Sequence, residues 1–164
     1  TTNTYPFSLD NVELGASQQA TIRVRLVSTT LNYTNPNHRA RFWVNDSLVG
    51  ETTFAGRTSI VFSANIPHSW LRNGGNVLKI LSVLTPAIPN QFYLDWFEVD
   101  CFRFLRAQNN QLAFAFPAPG AFSRITFDAT GCSSPQVEVF DILSKRNITS
   151  TRITSSGAEY SIAF

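Results

Sequence analysis

The side chains equipped for covalent chemistry are few in this chain of 164 residues: two histidines, His38 and His68, and two cysteines, Cys101 and Cys132. A thiol nucleophile needs a base within hydrogen-bond reach and a third group to orient that base. Neither cysteine has a histidine close in sequence, and each reads as a structural thiol, Cys101 within an apolar strand and Cys132 after the Gly131 turn. The pair has two readings, a disulfide (which export would allow) or two packed, unbonded thiols. CxxC and HExxH spacings are absent from the sequence, so no transition-metal site is predicted. No pair of carboxylates is recognisable as a glycosidase acid and base. Gly74-Gly75 lacks the following Lys and Ser or Thr of a phosphate loop. Three tryptophans offer flat apolar faces on which a sugar ring can stack, although such rings more often fill the layers of a β-sandwich. Trp43 is predicted to point outward, Trp70 to sit in a helical turn and Trp96 to lie in the core.

The elements that hold these residues are strands. The chain has 14 Phe and 16 Thr but only two lysines, Lys79 and Lys145, and aromatic and β-branched residues suit a pleated, half-buried surface. Short Asn, Ser, Pro and Gly punctuation separates the runs, the mark of a sandwich or jelly roll. Ala20, Ile22, Val24 and Leu26 alternate with polar residues, as do Ala40, Phe42 and Val44, so each run buries one face. Ile60, Phe62 and Ala64 give another. Residues 67–71 suit one helical turn started by Pro67. Residues 77–84 are apolar on both faces and are predicted to form a central strand. Residues 91–106 form the longest strand candidate, also apolar on both faces, which requires a second cover. Five short strands are predicted after the polar break at 108–110: 112–116, 122–128, 136–142, 148–153 and 160–164.

Whole-chain quantities set further bounds. Thirteen basic against eleven acidic side chains leave +2, with no charge runs, which argues against a nucleic-acid partner. No apolar run reaches the roughly 18–20 residues of a membrane-spanning helix, and no membrane insertion is predicted. The chain starts Thr1-Thr2 and has no methionine, so it is expected to be a piece of a longer product. If 20–27 and 39–45 are neighbouring strands, Arg23, Arg25, Arg39 and Arg41 share one outward face with Trp43. Four like charges on one face repel unless carboxylates, an aromatic ring or a partner offset them, and Arg and Trp are enriched at interface hot spots.

Several motifs resemble galactose-binding-like jelly rolls: Phe42-Trp43-Val44-Asn45 before a return at Val49-Gly50, then Leu71 followed by Gly75-Asn76-Val77-Leu78, then Leu94-Asp95-Trp96-Phe97. The longer order, running through Cys101-Phe102-Arg103 to Ile125-Thr126-Phe127 and Val137-Glu138-Val139-Phe140-Asp141-Ile142, resembles the β-rich region preceding the catalytic domain of gingipain-like cysteine peptidases, including the type IX secretion sortase. The resemblance implies an all-β jelly-roll sandwich over 1–106 with a smaller β lobe at 107–164 packed on it, or one continuous domain. No cofactor is expected. Jelly-roll carbohydrate modules often hold a structural calcium between an early acidic pair and a late Asp, here Asp10, Glu13 and Asp95. The favoured reading, however, is that Asp10 caps a turn and Asp95 hydrogen-bonds backbone at a bend. The resemblance also implies a non-catalytic accessory domain, exported, with the parent's catalytic domain or other secretion proteins as partners. The alternative class is a carbohydrate-binding module.

Overall fold

A computed structural model describes residues 1–30, 35–83, 90–114, 128–149 and 151–163. The chain divides into two compact units, Thr1–Arg103 and Phe104–Phe164. The first contains β1 (Thr2–Leu9), β2 (Gln19–Ser28), β3 (His38–Val44), β4 (Ser47–Phe54), β5 (Ser59–Pro67), a 3-10 turn (His68–Trp70), β6 (Gly74–Ser82) and β7 (Phe92–Asp100). Two antiparallel sheets result, one ordered β1-β6-β3-β4 and the other β5-β2-β7. This is an all-β jelly-roll sandwich.

The alternation read in the sequence explains which side of each strand faces in. Ala20, Ile22, Val24 and Leu26 of β2 are fully buried against Ala40, Phe42 and Val44 of β3 and Leu78 and Ile80 of β6. Phe42 and Phe62 stack with ring centroids 4.2 Å apart, and Phe7 meets Phe97 edge-on at 5.4 Å. Burying such a side chain contributes about 1.5–3 kcal/mol, so this layer dominates the unit's stability. As expected, β6 is central, lying between β1 and β3.

The longest predicted strand is shorter than its apolar run and is not two-sided. β7 ends at Asp100 and lies at a sheet edge. Its register against β2 shifts at Asp95, because Arg25 pairs with Trp96 whereas Leu26 pairs with Leu94. The extra residue is a β-bulge. Leu94, Phe97 and Val99 pack on the core, while Tyr93 and Trp96 are 61% and 37% exposed. The bulge sets Trp96 on the same outer side as Tyr93, so apolar residues of both sides follow one another along the strand.

The second unit has β8 (Asp128–Cys132), β9 (Phe140–Asp141), β10 (Arg146–Asn147), β11 (Arg152–Ser156) and β12 (Glu159–Ala163). They form a sheet ordered β11-β12-β8 and a β9–β10 hairpin. Ala129, Cys132 and Ile162 are its buried apolar side chains among the described residues. Gly131 has φ +83°, and a Cβ there would stand 2.9 Å from the Ala107 carbonyl oxygen, so glycine is required. Of the strands predicted here, 160–164 corresponds to β12. The run 136–142 shortens to β9, and 148–153 gives way to β11, which starts at Arg152. Residues 112–114 are not in a strand, and 115–116, 122–127 and 164 lie outside the described residues.

Candidate functional site

The four arginines do not share a face. β2 pairs with β5 and β7, and β3 pairs with β4 and β6, so the connection between β2 and β3 crosses from one sheet to the other. Arg23 and Arg25 stand on the outer side of the three-stranded sheet, Arg39, Arg41 and Trp43 on the outer side of the four-stranded one. Sequence adjacency misleads here because β2 and β3, though successive, lie in opposite sheets, whereas β3 and β4 pair directly.

Each cluster has found carboxylates of its own. On the four-stranded sheet the guanidiniums of Arg39 and Arg41 both bind Glu51, one to each oxygen. Those two hydrogen bonds, the Arg39 one first, hold the Glu51 carboxyl below its ordinary value. Lys79 places its ammonium 4.7 Å from the centroid of the Trp43 ring. Leu48, opposite Trp43, is 54% exposed. This face therefore carries three cations against one carboxylate.

The three-stranded sheet is balanced differently. Arg23 reaches Glu98 at 2.8 Å and Asp100 at 2.5 Å, and Arg25 reaches Asp95 at 3.3 Å. The hydrogen bonds that Arg23 donates to Asp100 and then to Glu98 raise its pKa. Two cations here meet three carboxylates. Val61 (51% exposed), Tyr93 and Trp96 lie among them on the same outer side. The sequence reading placed Trp96 in the core and did not single out Tyr93. Only the bulge, which leaves no mark in the residue types, turns Trp96 outward.

The candidate calcium ligands do not converge. Among the described residues no three His, Cys, Asp or Glu side chains are grouped to hold a metal. Asp95 is engaged by Arg25. Asp10 is exposed at the end of β1, and Glu13 sits in a loop tied by its backbone to Phe102 and Ala16. The cysteines are free thiols. Cys101 packs against the first unit's core and Cys132 is buried in the second unit's sheet, so each is taken up by its own unit. Burial pushes the Cys101 thiol up, against the opposing effect of Arg103, and keeps it from ionising.

One constellation has the layout of a hydrolase triad. Ser28 Oγ lies 2.6 Å from His38 Nε2, and His38 Nδ1 lies 3.0 Å from Asn90 Oδ1. Asn90 Nδ2 donates to the carbonyls of Arg39 and Val83, so its oxygen faces the ring and Nδ1–H must donate to it. Nε2 then accepts the Ser28 hydroxyl, the order nucleophile, base, orienter. Yet Ser28, His38 and Asn90 are 2%, 1% and 8% exposed, and the ring stacks on Phe54 at 4.6 Å. A substrate carbonyl has no way to approach that oxygen. The group joins β2, β3 and the start of β7 as a buried polar tie. His68 does the same at the other end: its Nδ1 donates to the Gln18 carbonyl at 2.8 Å, and Nε2 accepts the Phe102 amide at 2.9 Å. Ser28 and Asn90 went unnoticed in the sequence because separations of 10 and 52 residues from His38 give no local signal.

The family-like motifs are also spent on the fold. Asn45 has φ +53° in the two-residue turn between β3 and β4, and its Nδ2 donates to the Trp70 carbonyl and to Asn76 Oδ1. Asn76, 1% exposed, donates to the Arg72 and Gly74 carbonyls and accepts the Arg72 amide. The two motif asparagines thus clasp one another and the 3-10 turn.

No family model matches the chain, and no curated protein matches it. Among solved structures, dimeric latent PorU from Porphyromonas gingivalis is similar over 99% of this chain at 13% identity, with a TM-score of 0.61. This chain spans 16% of that one. The carbohydrate-binding module CBM36, in complex with calcium and xylotriose, is similar over 60% of this chain and 72% of its own, at 19% identity and a TM-score of 0.40. The likeness is one of fold. Among the described residues no helix is long and apolar enough to cross a membrane.

Proposed function

We propose that this chain is a non-catalytic accessory domain of a longer exported polypeptide of the gingipain-like kind, docking the catalytic domain or another secretion protein through the outer side of its four-stranded sheet. The observation that carries the reading is the division of labour among its polar groups. The Ser28–His38–Asn90 constellation is sealed inside, whereas Arg39, Arg41, Lys79 and Trp43 are displayed with a surplus of positive charge. Guanidiniums already aligned on one carboxylate can accept a second in bidentate geometry, so the partner surface is acidic. The fold likeness to latent PorU, spanning nearly all of this chain and a small part of that one, supports an accessory position within a larger protein.

The experiment is a binding measurement between this chain and the remainder of the polypeptide encoded with it. Arg39→Ala/Arg41→Ala is expected to keep its melting temperature within a few degrees, since exposed ion pairs contribute about 0–1 kcal/mol. It is expected to bind at least about tenfold more weakly, the loss of one hot spot of roughly 1.4 kcal/mol or more. Unchanged affinity would remove this face from the docking surface.

A further inference from the structure

The outer side of the three-stranded sheet has a chemistry of its own, and we infer that it binds a neutral, extended oligosaccharide across Tyr93 and Trp96. The inference goes beyond the docking reading, because it concerns the opposite sheet and a different class of ligand.

The outward side chains form cross-strand rows. Val27 lies between Ser59 and Tyr93, Arg25 between Val61 and Trp96, Arg23 between Ser63 and Glu98, and Thr21 between Asn65 and Asp100. Successive outward rows are about 6.8 Å apart. The bulge at Asp95 keeps Tyr93 and Trp96 in adjacent rows, so the two rings can engage neighbouring sugars of one chain. One half of the face is thus aromatic and aliphatic, and the other half is polar.

Charge selects among ligands. Every one of the five charged groups here is already in an ion pair: Arg23 with Glu98 and Asp100, Arg25 with Asp95. A nucleic acid or an anionic glycan would meet three carboxylates, and a cationic peptide would meet two guanidiniums. A sugar hydroxyl suits such a pair, since it donates to the carboxylate and accepts from the guanidinium at once. These pairs are substantially exposed, with side-chain exposures of 37–64%, and exposed ion pairs hold together weakly, so they rearrange around a ligand at little cost. The apolar face of a pyranose ring then covers Tyr93 and Trp96, which as rigid aromatics lose little conformational freedom on binding.

The test is titration calorimetry of the full chain with cellohexaose, xylohexaose and laminarihexaose, with polygalacturonate as the anionic comparison. At least one neutral hexasaccharide is expected to bind. Trp96→Ala should weaken that binding about tenfold or more, Trp96→Phe should retain most of it, and Trp43→Ala on the other sheet should leave it unchanged. If Trp96→Ala lowers the melting temperature, the surface variant Tyr93→Ala gives the same reading. The inference is overturned by no binding of any neutral hexasaccharide at millimolar concentration, by preference for polygalacturonate, or by binding indifferent to Trp96 and Tyr93. Loss of protein docking on Trp96→Ala without sugar binding would assign the face to a protein and also overturn it. Failure of the Arg39 and Arg41 experiment leaves these outcomes untouched, so the two readings fall separately.

Discussion

At the scale of single residues, the side chains that look most functional divide into those that fasten the fold and those that remain at its surface. Asn76 belongs to the first group. Replacing it with alanine removes the side-chain partner of the Arg72 amide and of the Arg72 and Gly74 carbonyls, and one of the two acceptors of the Asn45 side-chain amide. Asn76→Ala is expected to cost about 2–4 kcal/mol, at about 1–3 kcal/mol for each buried group left unsatisfied. A thermal melt should fall by roughly 10 °C or more for a unit of this size. Glu51 belongs to the second group and gives stability a pH dependence. Its carboxyl is held below the ordinary value of 4.5 by Arg39 and then Arg41. The pairing therefore helps the folded state above that value and is lost as pH falls through the lower, folded-state value. Melting curves of the wild type and Glu51→Gln should differ most near neutral pH and converge in acid; a constant gap would contradict the assignment.

At the scale of elements, the bulge in β7 decides what the edge strand shows to solvent. Without Asp95 the order Tyr93, Leu94, Trp96, Phe97 would alternate strictly, out, in, out, in. Deleting Asp95 is therefore expected to preserve the fold and the outward position of Trp96 while losing the Arg25 ion pair, with a melting shift of a few degrees. Collapse of the sheet, seen as loss of the cooperative transition, would show that the bulge itself is required. This strand also marks where sequence reading stopped. β2 and β3 were legible because their alternation is regular, β6 because its run is apolar on both faces, and the 3-10 turn because Pro67 opens it. β7 was not, because a bulge and a two-sided apolar strand have the same residue pattern. The pairing of β2 with β3 failed for a different reason, since alternation shows which side chains are buried but not which neighbour a strand takes. The arginine cluster inherited that error. Its members are surface residues with carboxylate partners, as charge repulsion required, but they stand on two separate sheets. The Ser28–His38–Asn90 tie was illegible for want of any local spacing.

At the scale of the whole molecule, the chain is all-β, and the outer sides of the first unit's two sheets differ in charge. The four-stranded sheet shows a surplus of cations, the three-stranded sheet a compensated set of ion pairs beside two aromatic rings. The proposed binding role agrees with that arrangement, in which the Ser28–His38 nucleophile–base pair lies buried. The most direct measurement is an activity assay of the purified chain on fluorogenic peptides and on chromogenic glycosides. Rates equal to the protein-free blank are the expected result, for the wild type and for Ser28→Ala alike. Turnover above the blank that disappears in Ser28→Ala, His38→Ala or Cys132→Ala, in variants shown by their melts to be folded, would contradict it.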